Sequence, residues 1–396
     1  MQLPGVPGAC ADTSASGPCR GGCSHAAEVS KKTVCSCGMV HRSWYDTRDK
    51  TMRDLDAFGT AVYLLFRIRR VYCTRCQAVK TEQLPWLALS GRATKRFEEA
   101  VGKMAREMPL TEVARHHRIG WDQAWRMELE YMRELIKKHP PAFKIRVIGV
   151  DEISVRPGPT YRVVVADLDE HRPIWIGGTG RTKEDMDMFF AEIGAERSQN
   201  IELAVMDMWK AFRNSTSEHA PQARVVFDKF HVLKHLSDAL DKIRRQEYKR
   251  VNEKERKYIK GQRYTLLSHK ANLDTEGRRS LKLLLKANKR LNKAYLLKEA
   301  FGQLWDYLYS ASARKFFANW KAQLRWQKLK PFEEFAAMIE KHWDGLVSYC
   351  HPDNKVSLGF MEGLNNKIRV IQRRAYGIRN DEYLRLKVLT SFIKDA

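Results

Sequence analysis

The 396-residue sequence predicts an α+β multidomain protein: a small cysteine-bearing β domain, a helical hairpin, and a mixed α/β domain with an all-helical insertion. Three observations carry this expectation. Apolar runs rich in branched residues (IRVIGV, TYRVVVADL, RPIWIGG, IELAVM, ARVVF) alternate with the helical stretch TKEDMDMFFAEIG over residues 144–228, which is the pattern of strands interleaved with helices. Two close cysteine pairs flank short apolar runs in residues 31–90. A long block of helical period, residues 229–350, is strongly basic.

Taken in order, residues 1–30 are rich in Gly, Pro, Ser and Cys and lack the apolar core of a secretory signal, so disorder is expected there. Eight cysteines in a chain of 396 residues do not make a disulfide scaffold, which points to a reducing cytosol. Residues 31–90 hold Cys35 and Cys37 as C-x-C, and Cys73 and Cys76 as C-x-x-C. Thiolate pairs flanking a β segment are the signature of a zinc ribbon, a closed tetrahedral site for one structural Zn²⁺. Because C-x-C is tighter than the usual spacing, His41, His25 or Cys23 could replace one ligand.

Residues 91–143 are helical by period and end at the breaker HPPAF. Within them, Leu110, Val113 and Ala114 give one short apolar face and Ile119-Gly120 a turn; Trp121, Trp125, Leu129 and Met132 give the next helix its face. This fits a helix-turn-helix, in which residues near Asp122, Gln123 and Arg126 would reach base edges.

In residues 144–228, Asp151 and Asp207 each end an apolar strand-like run, the carboxyl edge where open α/β sheets place ligands. Asp167, Asp169 and Glu152 compete for the same role. Residues 229–350 form the basic insertion. From Lys229 to Lys330 there are 27 Lys and Arg against 9 Asp and Glu, a net +18 out of +24 for the chain. That is the electrostatic footprint of a polyphosphate partner. Its aromatic residues, Trp305, Tyr307, Tyr309, Phe316, Phe317, Trp320 and Trp326, imply helices with a core rather than a solvated tail. A membrane is the competing partner, but no run approaches the roughly 20 apolar residues of a span and there is no lipidation signal.

Residues 351–396 carry EGLNNKIRVIQRRAYGIRN and a last helix. At 3.6 residues per turn, Glu362, Asn365, Asn366, Arg369 and Arg373 share one face, with Leu364, Ile368, Ile371 and Ala375 opposite. Two strand-end aspartates and a helix-borne glutamate in a basic protein suggest metal-dependent chemistry on phosphodiesters.

In this order the motifs YDTRDKTMRDL, FRIRRVYCTRC, VKTEQLPW, the helix-turn-helix, GVDEIS, AVMDMWKAF, FDKFHVLKHL and FMEGLNNKIRVIQRRAYGIRN resemble the bacterial insertion-sequence transposases of the ISL-three family, over roughly residues 33–393. The C-x-C pair departs from the family's usual C-x-x-C. The resemblance implies a zinc-binding N-terminal domain, a helix-turn-helix, and a ribonuclease-H-like catalytic domain whose DDE triad is Asp151, Asp207 and Glu362. It further implies Mg²⁺ or Mn²⁺ at that triad, and it matches Asp228–His231 to an Asp-x-x-His motif in which His231 assists catalysis. The expected partner is double-stranded DNA, both element ends and target, bound by a homodimer or higher oligomer in the bacterial nucleoid. Arg369 and Arg373 would hold phosphates beside the metals; Arg244, Arg245, Lys249 and Arg250 would clamp the DNA backbone. Two other classes of function remain open on sequence: a zinc and helix-turn-helix transcription regulator without catalysis, and another nuclease of the same fold.

Overall fold

The computed structural model describes residues 10–11, 32–88, 92–155, 160–356 and 359–393. The chain divides into two compact units, Met1–Pro140 with Val370–Ala396, and Pro141–Arg369. Most of residues 1–30, with Cys23 and His25, lies outside the described residues; Cys10–Ala11 (β1) pairs with Tyr63 and Val62.

In the first unit, Thr33–Val34 (β2) and Val40–His41 (β3) form a short hairpin. Asp46–Ala57 (β4) and Thr60–Cys73 (β5) form a long one, and Ala78–Thr81 (β6) adds to β5. The β4–β5 turn places Phe58 and Gly59 at φ 50° and 76°, the left-handed pair that matches the twist of the flanking strands. Alternation along β5 turns Val62, Leu64, Phe66 and Ile68 inward, where Phe66 and Ile68 pack with Met52 and Trp86.

Three helices follow: Lys95–Glu107 (α1), Leu110–His116 (α2) and Trp121–Lys138 (α3). The Thr94 hydroxyl caps α1 by accepting from the Phe97 N–H. Phe97, Val101 and Ala105, spaced at i and i+4, share a core with Val113, Ala114, Ala124 and Met127. Two details differ from the expected hairpin. Arg118, at φ 53°, makes the left-handed turn, while Gly120 is extended and serves as the N-cap of α3. Trp121 is 51% exposed, because α3 buries Ala124, Met127, Tyr131 and Leu135 instead. That inner face receives the C-terminal helix Asp381–Thr390, whose Tyr383 hydroxyl and Lys387 ammonium both meet the buried carboxylate of Glu128.

The second unit is built on a five-stranded sheet. Its strands are Val147–Ser154 (β7), Tyr161–Asp167 (β8), Arg172–Gly177 (β9), Leu203–Met206 (β10) and Arg224–Phe227 (β11), in the order β11-β10-β7-β8-β9. β8 runs antiparallel to β7 and to β9; β7, β10 and β11 are parallel. The helices Lys183–Ile193 (α4), Ala195–Ser198 (α5) and Lys210–His219 (α6) connect the strands from β9 to β11.

The basic block begins directly after β11. Its helices are Lys229–Arg250 (α7), Glu253–Gly261 (α8), Arg263–Leu267 (α9), Thr275–Ala287 (α10), Lys289–Phe301 (α11), Ser310–Ala322 (α12), Lys330–Lys341 (α13) and Trp343–Val347 (α14). One continuous core joins them to the sheet, running from Phe227 through Leu236 and Ile243 to Phe301, Trp320 and Phe335. Trp305, Phe317 and Trp320 belong to it as expected, but Tyr309 and Trp326 stand outside, 73% and 95% exposed.

The helix Gly359–Arg374 (α15) lies against β7 through Met361. A Cβ on Gly149 would sit 2.8 Å from Met361 Sδ and 2.9 Å from Leu168 Cδ2, so only glycine lets strand and helix approach this closely. We expect Gly149→Val to destabilise the second unit by about 1–3 kcal/mol through overpacking, read as a lower melting midpoint; an unchanged midpoint would show that α15 does not depend on this close approach.

Candidate active site

The strand register sets the two aspartates side by side. Val150 of β7 pairs with Met206 of β10, and Met206 with Phe227 of β11. The next residues, Asp151, Asp207 and Asp228, therefore sit where the parallel pairing of three adjacent strands ends, with β7 itself continuing along β8 to Ser154; neighbouring strands are spaced about 4.8 Å apart. The Asp151 carboxylate accepts from the Glu152 N–H at 2.8 Å, and Asp207 from the Met208 N–H at 2.6 Å. Burial pushes the Asp151 carboxyl up to about 6, against the opposing pull of the Glu152 N–H and His231.

α15 meets the first aspartate through Asn365. Asn365 Nδ2 donates to Asp151 Oδ2 at 2.6 Å, and Glu362 lies one turn earlier on the same helix, exposed. Asn365 is itself buried with Met361, Leu364 and Ile368, so the polar face of this helix is narrower than expected: it comprises Glu362, Asn366, Arg369 and Arg373. Arg369 is exposed and donates to Asn366 Oδ1 at 2.9 Å. Arg373 is exposed in the part of the helix that belongs to the first unit. The Oδ1 of Asn365 is buried with no hydrogen-bond partner among the described residues, an acceptor left over for something that is not protein.

His231 sits in the first turn of α7, with the Asp228 carboxylate 3.3 Å from its Nδ1. Asp228 also caps that helix by accepting from the Phe230 N–H at 2.7 Å. Burial works to lower the imidazole, but Asp228, Asp207 and Asp151 outweigh it and raise it to about 9. The three carboxylates around it thus favour the imidazolium form.

The rival carboxylates lie elsewhere. β8 is antiparallel to β7, so Asp167 pairs with Ile148, near the opposite end of the sheet from Asp151, which pairs with Val164. Asp167 accepts from the N–H groups of Asp169 and Glu170 and closes the β8–β9 turn; Asp169 pairs with Arg146 at 2.9 Å. Glu152 holds Arg181 at 3.1 Å, and that guanidinium lies over the rings of Tyr161 and Trp209 at 4.4 and 5.0 Å. Sequence reading misses Arg181 and gives Asn365 no partner, because both interactions join segments far apart in the chain.

The four cysteines converge in the first unit. Cys35 and Cys37 occupy the β2–β3 turn, Cys73 ends β5, and Cys76 lies in the β5–β6 turn. All are free thiols, and the four sulfurs lie within 4.8 Å of one another. Cys35–Cys76 is 3.9 Å and Cys37–Cys73 is 3.6 Å, close to the edge of roughly 3.8 Å in a tetrahedron of 2.3 Å Zn–S bonds. The set fits a tetrahedral zinc ion without His41. The Cys37 N–H draws the Cys35 thiol down to about 7, whereas Cys37 and the other thiols push Cys76 up to about 12.

Gln123 is half-buried and Arg126 exposed, both in the first two turns of α3. In α7, Arg245, Lys249 and Arg250 are exposed, although Arg245 donates to Asp241 at 2.7 Å and Arg250 to Glu247 at 3.1 Å. Arg244 is not available: it is buried, and its Nε donates to Asp241 Oδ1 at 2.7 Å. It was expected in the DNA clamp, and it sits at the core edge of the helix. Among the described residues no helix is long and apolar enough to cross a membrane.

A family model described as a transposase, of the DDE type, matches residues 148–388. A second, described as the helix-turn-helix domain of transposase family ISL3, matches residues 82–132. The chain is 31% identical over 373 residues to the transposase for insertion sequence element IS1001 of Bordetella parapertussis, covering 93% of this chain and 91% of that protein. It is 27% identical over 375 residues to the transposase for insertion sequence element IS1557 of Mycobacterium tuberculosis, covering 88% and 83%.

Proposed function

This chain belongs to the ISL3 family of transposases, and we propose that Asp151, Asp207 and Glu362 are the carboxylates with which it cleaves and joins DNA. The observation that carries this reading is a juxtaposition on the sheet: two aspartates side by side where the parallel pairing of β7 and β10 ends, with α15 tied to the first by Asn365. A ribonuclease-H-like catalytic domain is supported by the strand order, with its antiparallel β7-β8-β9 and parallel β7, β10 and β11.

DDE chemistry uses divalent metal, and the three carboxylates are the hard oxygen donors that suit Mg²⁺ or Mn²⁺. When bound, such ions supply Lewis-acid charge and favour deprotonation of the nucleophile. In cleavage a water oxygen attacks phosphorus and the DNA 3′ oxygen leaves; in joining, that 3′-hydroxyl attacks a target phosphodiester and displaces its 3′ oxygen. Asn365 and the Glu152 N–H fix the orientation of Asp151. His231, positioned by Asp228, presents positive charge and a proton to a phosphate oxygen, and Arg369 offers a guanidinium beside Glu362.

We expect His231→Gln to slow cleavage roughly 10²-fold, within the usual range for a positioned proton donor. The wild-type rate should fall as pH passes about 9, and this fall should be absent in the variant. The sign of the stability effect is the same. The folded value lies above the ordinary 6.5, so the stabilisation is complete below pH 6.5 and is lost as pH rises through 9. A variant that keeps the wild-type alkaline limb would exclude His231 as its origin.

Residues 35–76 would hold one structural Zn²⁺ through Cys35, Cys37, Cys73 and Cys76. Gln123 and Arg126 of α3 would read bases of double-stranded DNA, while the exposed Arg245, Lys249 and Arg250 would hold phosphates. The two ends of an element are inverted repeats, so a homodimer or larger symmetric oligomer would bring them together. Replacing Arg245, Lys249 and Arg250 by Ala should flatten the dependence of log K on log salt by about 0.9 for each phosphate no longer neutralised. It should weaken specific and non-specific DNA alike. Gln123→Ala or Arg126→Ala should cost specificity at nearly constant slope. An unchanged slope in the triple variant would remove α7 from the DNA interface.

A further inference from the structure

Trp326 is the most exposed tryptophan among the described residues, 95% accessible, in a protein that buries Trp305 and Trp320 a short way along the chain. It lies in the link between α12 and α13, and the structure holds it outward. Leu324 and Leu329, on either side, are buried. Trp326 and Lys328 have φ of 66° and 52°, a conformation that bulky side chains rarely adopt. α11 pins the turn from below: Arg290 Nη2 donates to the Lys328 carbonyl at 2.8 Å, and Lys293 Nζ to Gln327 Oε1 at 2.6 Å. Within the turn, the Gln327 N–H donates to the Leu324 carbonyl at 3.1 Å.

An exposed indole forgoes its burial energy, and a left-handed backbone adds a conformational cost. Strain of this kind persists where the surrounding structure imposes it, and it clusters at functional positions. The surroundings identify the partner. Arg325 and Lys328 flank the indole in sequence. Arg325 also lines an open cavity of about 720 Å³ with Arg314, Lys321, Phe317 and Trp343, together with the carboxylates Glu340, which pairs with Lys321 at 2.6 Å, and Asp344. An apolar plate set among cations matches nucleic acid, which offers flat bases behind a row of phosphates.

We propose that Trp326 is a wedge that enters one base step of the bound DNA duplex and unstacks it, while Arg325 and Lys328 touch the phosphates beside that step. Insertion of apolar side chains between bases kinks a duplex and exposes more of it to the protein. The proposal rests on the reading of the basic insertion as a DNA-binding element, and the two can fail separately.

The test uses the full-length protein and a duplex carrying the element's own end, with 2-aminopurine moved stepwise through one strand. With wild-type protein, fluorescence should rise at one step or two adjacent ones. Trp326→Ala should abolish that rise and weaken binding about tenfold, as expected for loss of a stacked base. Its salt slope should remain near the wild-type value, and its melting midpoint should not fall, because the side chain stands outside the core. Trp326→Tyr should restore most of the signal. If no position brightens with wild type, or if Trp326→Ala keeps the rise, the wedge is wrong even when the salt slope of the Arg245, Lys249 and Arg250 variant supports the clamp. If Trp326→Ala instead changes the oligomeric state and leaves the 2-aminopurine signal intact, the wedge is equally wrong, and the indole meets another copy of the chain rather than DNA.

Discussion

Replacement of Asp151, Asp207 or Glu362 by Ala should reduce DNA cleavage and strand transfer to background while binding of an end-containing duplex stays within a few fold. The split follows from placement. Asp151 lies within β7 and Asp207 just after β10, strands paired through their backbones, and Glu362 is exposed on α15. None carries the fold, and none lies in α2 or α3. Asp151→Asn should be as inactive as the alanine variant, because an amide keeps the shape of the carboxylate but not its charge. Asp167→Ala should behave differently. It opens the β8–β9 turn by removing the acceptor for the Asp169 and Glu170 N–H groups, so it should lower stability before it lowers the catalytic rate of the folded fraction. Gel assays of cleavage and of binding on the same preparations measure both quantities. Full cleavage by Asp207→Ala would remove it from the site.

The second large effect is on zinc. Native mass spectrometry should find about one zinc per chain, and Cys35→Ser, Cys37→Ser, Cys73→Ser and Cys76→Ser should each lose it, since a closed site uses all four thiolates. Small sites of this type gain much of their folding free energy from the metal. The β2–β3 hairpin is only four paired residues; besides its cysteines it is tied down by single hydrogen bonds such as that from the Gln83 N–H to the Val34 carbonyl at 2.8 Å. A chelator should therefore make residues around 33–81 sensitive to protease and weaken recognition of element ends, while leaving the melting of the second unit unchanged. Zinc retained by Cys37→Ser but lost by Cys73→Ser would mean that another side chain supplies the fourth ligand.

The carboxylates at strand ends are legible in the sequence because an apolar run followed by Asp is a local pattern. The strand identities are legible too, since IRVIGV, TYRVVVADL and IELAVM each carry the branched residues of a buried strand. What sequence does not supply is the sheet order. Asp167 ends its run as plainly as Asp151 does, and only the antiparallel pairing of β8 with β7 sends it to the other edge. The same limit hides the roles of Asn365 and Arg181, whose partners are remote in the chain. Helical period places α15 correctly but sets its polar face one residue too wide, because Asn365 is a polar residue that the core side accepts by bonding Asp151. Arg244 reads as a free cation, since composition shows charge but not that the side chain is buried against Asp241, three residues earlier. Trp326 reads as core for a related reason: an aromatic residue in a helical block implies packing until its backbone is seen to turn it outward.

The central claim, that these three carboxylates hold the catalytic metals, is tested most directly by exchanging oxygen for sulfur. Asp151→Cys, Asp207→Cys and Glu362→Cys each replace a hard ligand by a soft one that binds Mg²⁺ poorly and tolerates softer ions better. Cleavage of an end-labelled duplex should be lost in all three variants with Mg²⁺ and partly recovered with Mn²⁺, while the wild type cleaves with both. Cleavage with Mg²⁺ at the wild-type rate by any of the three cysteine variants would contradict the assignment of that residue.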